Sequence, residues 1–240
     1  MRPSRRAAFT LIELLASVAI IATLAALIGA ATTSALDSAK AAKSISNLRQ
    51  IATAFHTYTG ENNDYFPRGY FYQPGQAEVS YINELAPYLS EAPSPAVPSR
   101  NIFIAPTSTI KVPAKAANAF IPLTYSVHGV LCPDTSSGTP RFRRSQVTRP
   151  TQVILIGDSA QNPTSGNSFC TFNSPPAFKL TGDAHSLTTV IPASADSDTS
   201  AGLGQVRYRT RGAAAFAMVD GHVALMKPGT ITYANIIADR

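Results

Sequence analysis

Phe9-Thr10-Leu11-Ile12-Glu13-Leu14-Leu15, continued by ASVAIIATLAALIGAA to Ala31, holds one charged side chain between Phe9 and Ala31. A helix drawn through this stretch is apolar on every face, the pattern of a segment buried all round, in lipid or in a bundle. Glu13 breaks it. A carboxylate in such a segment costs on the order of 2.5–3.5 kcal/mol at a bilayer centre, so it is tolerated mainly where it meets a partner.

Ahead of the stretch stand Arg2, Arg5 and Arg6 with no acid among them. By the positive-inside rule they hold the N-terminus in the cytoplasm, and the rest of the chain then lies across the membrane. Behind it, no proline occurs between Ala7 and Phe66. One helix can therefore run from Phe9 to Thr59, about 50 residues and about 75 Å at 1.5 Å per residue. Its second half changes character: Asp37, Lys40, Lys43, Asn47 and Arg49 alternate with Leu36, Ile45, Leu48, Ile51, Ala52 and Phe55 at three-to-four spacing. That one-sided stripe predicts packing on a sheet. Gly60 is expected in the left-handed position just past the helix end, and Gly29 at a loosened junction between the two halves.

MRPSRRAAFTLIELLASVAIIATLAALI resembles the prepilin signal of type IV pilins and type II secretion pseudopilins. The resemblance implies that a membrane aspartyl peptidase removes a leader, residues 1–8, by cutting between Ala8 and Phe9. The same peptidase then methylates the new N-terminus of Phe9. Thr10, Leu11, Ile12 and Glu13 serve processing and assembly, Glu13 being the fifth mature residue and facing the new α-amino group of its own chain or of a neighbour. The family usually has Gly before the cut, where this chain has Ala8, the next smallest side chain. Two blander readings compete. A general secretory signal peptide shares the basic start and apolar run, with Gly29-Ala30-Ala31 as its cleavage site, but its core is usually shorter and carries no acid. A plain signal anchor explains the length and leaves the FTLIELL string unexplained.

The resemblance extends further. SNLRQIATAFHTYTGENNDYFPRG, Ser46–Gly69, is similar to the helix end and following loop of a bacterial group of prepilin-processing-associated pseudopilins. Those chains end on an Arg-His pair, nine residues and Asp-Gly-His-Val. Here RTRGAAAFAMVDGHV keeps Arg209, the spacing, Asp220, Gly221, His222 and Val223, but has Thr210 for the His. Similar chains also carry a Cys-Pro pair where this one has Ala105-Pro106.

In the soluble part, Tyr81–Leu89 is expected as a short helix, and Ile102–Ala105, Leu123–Leu131 and Gln152–Ile156 as strands. The Asn/Ser/Thr/Pro-rich residues from Ala160 to Leu203 are expected as an irregular loop. Ala214–Val219 and His222–Met226 read as a hairpin joined by a two-residue Asp220-Gly221 turn with positive φ at both positions.

The formal charge is +6, of which the leader arginines supply half, too mild a balance to argue for nucleic acid. Tyr65, Phe66, Tyr70, Phe71, Tyr72 and Tyr81 near Arg68 and Arg100 could grip single-stranded DNA by stacking, but covering the sheet and helix is the simpler role. Cys132 and Cys170 face an oxidising compartment in this topology, either as a disulfide pair or as two unpaired thiols. No metal-ligand spacing surrounds them. His56, His128, His185 and His222 are scattered over different predicted elements, and no hydrolase, nucleotide or zinc-protease motif occurs. Asp158-Ser159 and Asp220-Gly221-His222 read as strand-end turns. Asp183, Asp196 and Asp198 lack the loop spacing that a calcium site needs. No catalytic residue, metal or cofactor is expected.

The sequence thus predicts an α+β, pilin-like chain: leader 1–8, transmembrane and filament-core helix 9–31, soluble half of that helix 32–60, and a β-rich periplasmic domain 61–240. The expected role is a self-assembling structural subunit without catalysis, in the bacterial inner membrane, with prepilin peptidase, related subunits and a secretion or pilus machine as partners. The alternative is a prepilin-anchored periplasmic or surface protein that binds cargo, glycan or DNA.

Overall fold

The computed structural model describes residues 10–75, 79–90, 101–110, 123–164, 168–172 and 186–238, apart from the side chains of residues 27–31. The leader, the Ala8–Phe9 junction, Arg100, Asp183 and His185 lie outside that set. The chain divides into two compact units, Met1–Ala39 and Lys40–Arg240.

Helix α1 runs unbroken from Leu11 to Glu61, through Gly29. In the first unit its large apolar side chains stay exposed, from Leu11 (84 %), Ile12 and Leu15 to Ile21 and Leu24. Among the described residues no helix is long and apolar enough to cross a membrane. What is observed at the expected transmembrane half is a helix with exposed apolar side chains.

In the second unit the predicted stripe holds at Leu48, Ile51, Ala52 and Phe55, but Ile45 is only half-buried, Leu36 in the first unit is exposed, and Asn47, expected on the polar face, is buried. Ala41, Ser44, Leu48, Ile51, Ala52, Phe55 and Tyr58 are buried, recurring at three and four residues as one helix face must. Leu48, Ile51, Ala52, Phe55 and Tyr58 join a core with Leu123, Tyr125, Val127, Leu155, Ile156, Ala215, Ala217 and Val219. These come largely from a sheet of four strands, β3 (Tyr125–Val127), β4 (Ile154–Asp158), β5 (Ala214–Met218) and β6 (Val223–Met226), ordered β3-β4-β5-β6 and antiparallel throughout. Two further short strands, β1 (Tyr70–Phe71) and β2 (Val79–Ser80), pair with each other. A second apolar cluster holds Ile154, Ala214, Phe216 and Met218 with Val206, Tyr208, Ile231, Tyr233 and Ile236. With apolar partners on both faces, β4 and β5 are buried along their whole length. That explains why they read as continuous apolar runs rather than alternating ones.

Tyr81–Leu85 forms helix α2, prolonged by a 3₁₀ turn at Ala86–Tyr88, close to expectation. Three local expectations are corrected. Residues 102–105 form a turn, not a strand. The Asn101 side chain accepts the Phe103 N–H at 2.9 Å and its carbonyl accepts the Ile104 N–H at 3.1 Å, local bonds that compete with a ladder. Gly60 is helical, and the left-handed residues after α1 are Asn63 (φ 53°) and Asp64 (φ 67°). Asn and Asp tolerate that region, and the Asp64 carboxylate is held by the Ser145 N–H at 2.8 Å and Arg144 Nε at 3.1 Å.

The third correction is the β5–β6 turn. Only Gly221 (φ 94°) is left-handed. Gly221 N–H donates to the Met218 carbonyl at 2.9 Å and Met218 N–H to the His222 carbonyl at 2.8 Å. This makes a three-residue loop, Val219–Gly221, closed by a glycine bulge rather than a two-residue turn. Asp220 contributes its carboxylate instead of its backbone, accepting the His222 N–H at 3.1 Å. The space above Gly221 is filled by His56 of α1: a Cβ would stand 3.1 Å from its Nε2.

No disulfide joins Cys132 to Cys170. Cys132 lies fully buried in the helix-side core, where desolvation pushes its thiol well above the usual range and keeps it unreactive.

Gly157 lets β4 and β5 meet. A Cβ there would overlap the Phe216 ring and lie 2.6 Å from the Ala215 carbonyl oxygen. Gly157→Ala is expected to cost about 1–3 kcal/mol through overpacking. Gly60→Ala, helical with open space around it, should add about 0.5–1 kcal/mol. Chemical denaturation of the two variants checks the contrast.

Candidate functional site

The start of α1 is organised by one reciprocal contact. Thr10 precedes the first helical residue, and its Oγ1 accepts the Glu13 N–H at 3.3 Å. Glu13 reaches back, its Oε2 accepting both the Thr10 N–H and the Thr10 hydroxyl at 2.9 Å. This is a Thr-x-x-Glu capping box. It satisfies donors that a helix N-terminus otherwise leaves orphaned and sets a negative charge where the helix dipole favours one. The four residues are legible in sequence as a capping signature, which the reading of Glu13 as a misfit in an apolar run overlooks. Around the box, Leu11, Ile12, Leu14 and Leu15 are all exposed. Thr10, Leu11, Ile12 and Glu13 thus stand together as one capped, acid-bearing end of an apolar rod. Ala8 and Phe9 lie outside the described residues.

The other candidates are dispersed. Asp220 and His222 form an exposed pair, Oδ1 to Nδ1 2.7 Å, at the hairpin tip. His56 places Nδ1 3.3 Å from Arg144 Nη1. His128 is buried and uses both ring nitrogens: Nε2 donates to the Ile236 carbonyl at 2.8 Å, while Nδ1 accepts the Val130 and Leu131 N–H groups. It pins the C-terminal segment. Arg141 and Arg143 both stack on Tyr65, and Arg68 lies over Phe71, while Phe66 and Tyr81 are buried.

Asp158 is more than a strand-end turn. It is fully buried at the end of β4. Its Oδ2 accepts the Ala215 N–H at 2.9 Å and the Thr210 hydroxyl at 3.3 Å, and its Oδ1 faces Arg209 Nε at 3.9 Å. Arg209, also buried, bonds the Ser159 carbonyl, Gln161 Oε1 at 3.1 Å and Asp198 Oδ1 at 3.1 Å. Arg207 pairs with Asp198 at 3.2 Å and with Asp196. Asp196 and Asp198, two of the three loop acids considered for calcium, are therefore engaged by arginines, and the network ties residues 196–210 to β4. Thr210 is buried and donates its hydroxyl to Asp158, a packing and hydrogen-bonding role. The sequence signal for the network was an acid closing a fully apolar strand, which must find a partner once buried.

Residues 3–29 match the family model of the prokaryotic N-terminal methylation motif. The match covers Arg5 and Arg6, the Ala8–Phe9 junction, the capping box and the apolar run to Gly29, and supports a type IV pilin-like chain processed by prepilin peptidase. The C-terminal hairpin lies outside it. No curated protein and no solved structure matches the chain.

Burial raises the Asp158 carboxyl to about 6, against the opposing pull of Arg209, the Ala215 N–H and Thr210. The folded chain therefore keeps a proton where the unfolded chain has lost it. This group's contribution to stability is full below about pH 4, the ordinary carboxylate value, and is lost as pH rises through about 6. Asp158→Asn removes that slope. Its penalty in chemical denaturation should be smaller at pH 7.5 than at pH 5, by on the order of 1 kcal/mol.

Proposed function

We propose that this type IV pilin-like chain is a self-assembling structural subunit, most simply of a type II secretion pseudopilus. Residues 1–8 are its leader, and the apolar segment 9–31 is its membrane and filament-core helix. The observation that carries this reading is the exposed apolar surface of Leu11–Leu24 wrapped around a capped carboxylate, under the methylation motif. Before assembly the subunit waits in the inner membrane, N-terminus cytoplasmic and residues 61–240 periplasmic. After the cut at Ala8–Phe9, copies stack their apolar helices side by side.

Glu13 is the switch in that step. In the single chain its carboxylate is occupied by Thr10. In the filament the methylated ammonium of Phe9 on a neighbour supplies a full opposite charge, stronger than the neutral donors of the cap. Prepilin peptidase, related pilin-like subunits and a secretion machine are the implied partners. No residue is assigned a catalytic role.

Cysteines placed singly between Leu14 and Ala31 should cross-link in native membranes into a ladder of multiples of this chain. A single product with an unrelated protein would favour an anchored binding protein instead. Glu13→Leu should insert normally and enter the ladder at least a hundredfold less, since removing one partner of a buried ion pair costs about 3–5 kcal/mol.

A further inference from the structure

The four-stranded sheet has one covered edge and one open edge. Beyond β3 the chain returns at residues 170–172, where Val127 N–H donates to the Cys170 carbonyl and Phe172 N–H to the Val127 carbonyl, each at 2.9 Å. At the other side β6 ends the strand order and pairs only with β5 among the described residues. Its register sets Ala217 opposite Val223, Phe216 opposite Ala224 and Ala215 opposite Leu225. The bond that closes the hairpin runs from Met218 N–H to the His222 carbonyl at 2.8 Å. Bonded and non-bonded pairs alternate along an antiparallel ladder, so Phe216–Ala224 is the next bonded pair. Val223 and Leu225 therefore turn their N–H and C=O groups to the open side.

Nothing along this edge discourages pairing. Open edges are usually blunted by charge, proline or a bulge. Val223-Ala224-Leu225-Met226 carries no charge and no proline, and its register with β5 is unbroken. The Leu225 side chain is 45 % exposed, so apolar surface borders the open backbone groups. Charge stands only beyond the two ends of the strand, on Asp220 and Lys227, both exposed. Asp220 Oδ1 is held by His222. Lys227 makes no ion pair among the described residues.

We propose that β6 is a docking edge for a second copy of this chain, the two β6 strands pairing antiparallel about a two-fold axis. The end charges select both occupant and direction. In a parallel pair Lys227 would face Lys227 and Asp220 would face Asp220, and like charges directly opposite are destabilising. In an antiparallel pair each Lys227 arrives at the Asp220-Gly221 tip of the other copy, once on either side of the axis, as a self-complementary contact requires. The same arrangement sets Val223 opposite Leu225 twice. The outward N–H and C=O groups of one copy then meet those of the other, and Leu225 leaves water. Main-chain bonds supply the affinity of such an added strand, and the side chains its specificity. The contact uses the sheet, where the proposed filament uses the apolar helix.

Zero-length carbodiimide cross-linking of the full chain in native membranes tests this. The expected product is a covalent dimer whose linked peptides join Asp220 to Lys227. Leu225→Pro removes an N–H that faces the open edge and no bond to β5, a place where a strand accepts proline. It should leave the thermal unfolding of the chain in place and cut the dimer about tenfold, the worth of one hydrogen bond lost from each copy. Leu225→Lys, which keeps the backbone intact, should cut it as well. Glu13→Leu, which takes the chain out of the filament ladder, should leave this dimer at full yield, so the two associations fail separately. Absence of the Asp220–Lys227 link overturns the proposal, as does Lys227 joined instead to an unrelated protein. A dimer that survives both Leu225 variants undiminished also overturns it.

Discussion

An apolar helical surface, capped by an acid and left exposed, is the constraint from which the biology of this chain follows. Full burial of a Leu or Ile side chain is worth about 1.5–3 kcal/mol. Leu11, Ile12, Leu14 and Leu15 together therefore favour burial by roughly 6–12 kcal/mol, well above the ~2.5–3.5 kcal/mol that a lone carboxylate costs in an apolar medium. The balance drives the segment out of water even with Glu13 on it. The capping box lowers the cost further, because two bonds from Thr10 already hold the carboxylate in the single chain.

The second unit obeys a different rule. There α1 has an inside, the sheet has two, and β4 and β5 are covered on both faces. Polar groups in this interior are tied rather than excluded. Asp158, Arg209 and Asp198 fasten the loop before β5 to the end of β4, and His128 fastens the C-terminal segment. The ties explain how a chain with a long Ser/Thr/Pro-rich stretch still packs a defined second face on its sheet.

Legibility in sequence tracked the range of the interaction. Helix α1 and its stripe at Leu48, Ile51 and Phe55 were readable because their signals are local and repeat many times. The existence of the β5–β6 hairpin was readable from Asp220-Gly221 for the same reason. Its turn geometry was not, because Asp220 spends its carboxylate on the His222 N–H and one left-handed residue suffices. The strand expected at Ile102–Ala105 failed because Asn101 bonds its own backbone neighbours first. The Asp158–Arg209 pair joins residues far apart in the chain, and no spacing announces it. Of the site, Thr10–Glu13 lay open as a capping signature, whereas the proposed cut at Ala8–Phe9 rests on resemblance to known prepilin signals.

Mass spectrometry of the intact protein taken from its native membrane bears most directly on the central claim. The account predicts a chain that lacks residues 1–8 and begins with N-methylated Phe9, its capping box one residue from the new ammonium. A chain that begins near Thr32, or one that retains Arg2, Arg5 and Arg6, would contradict it.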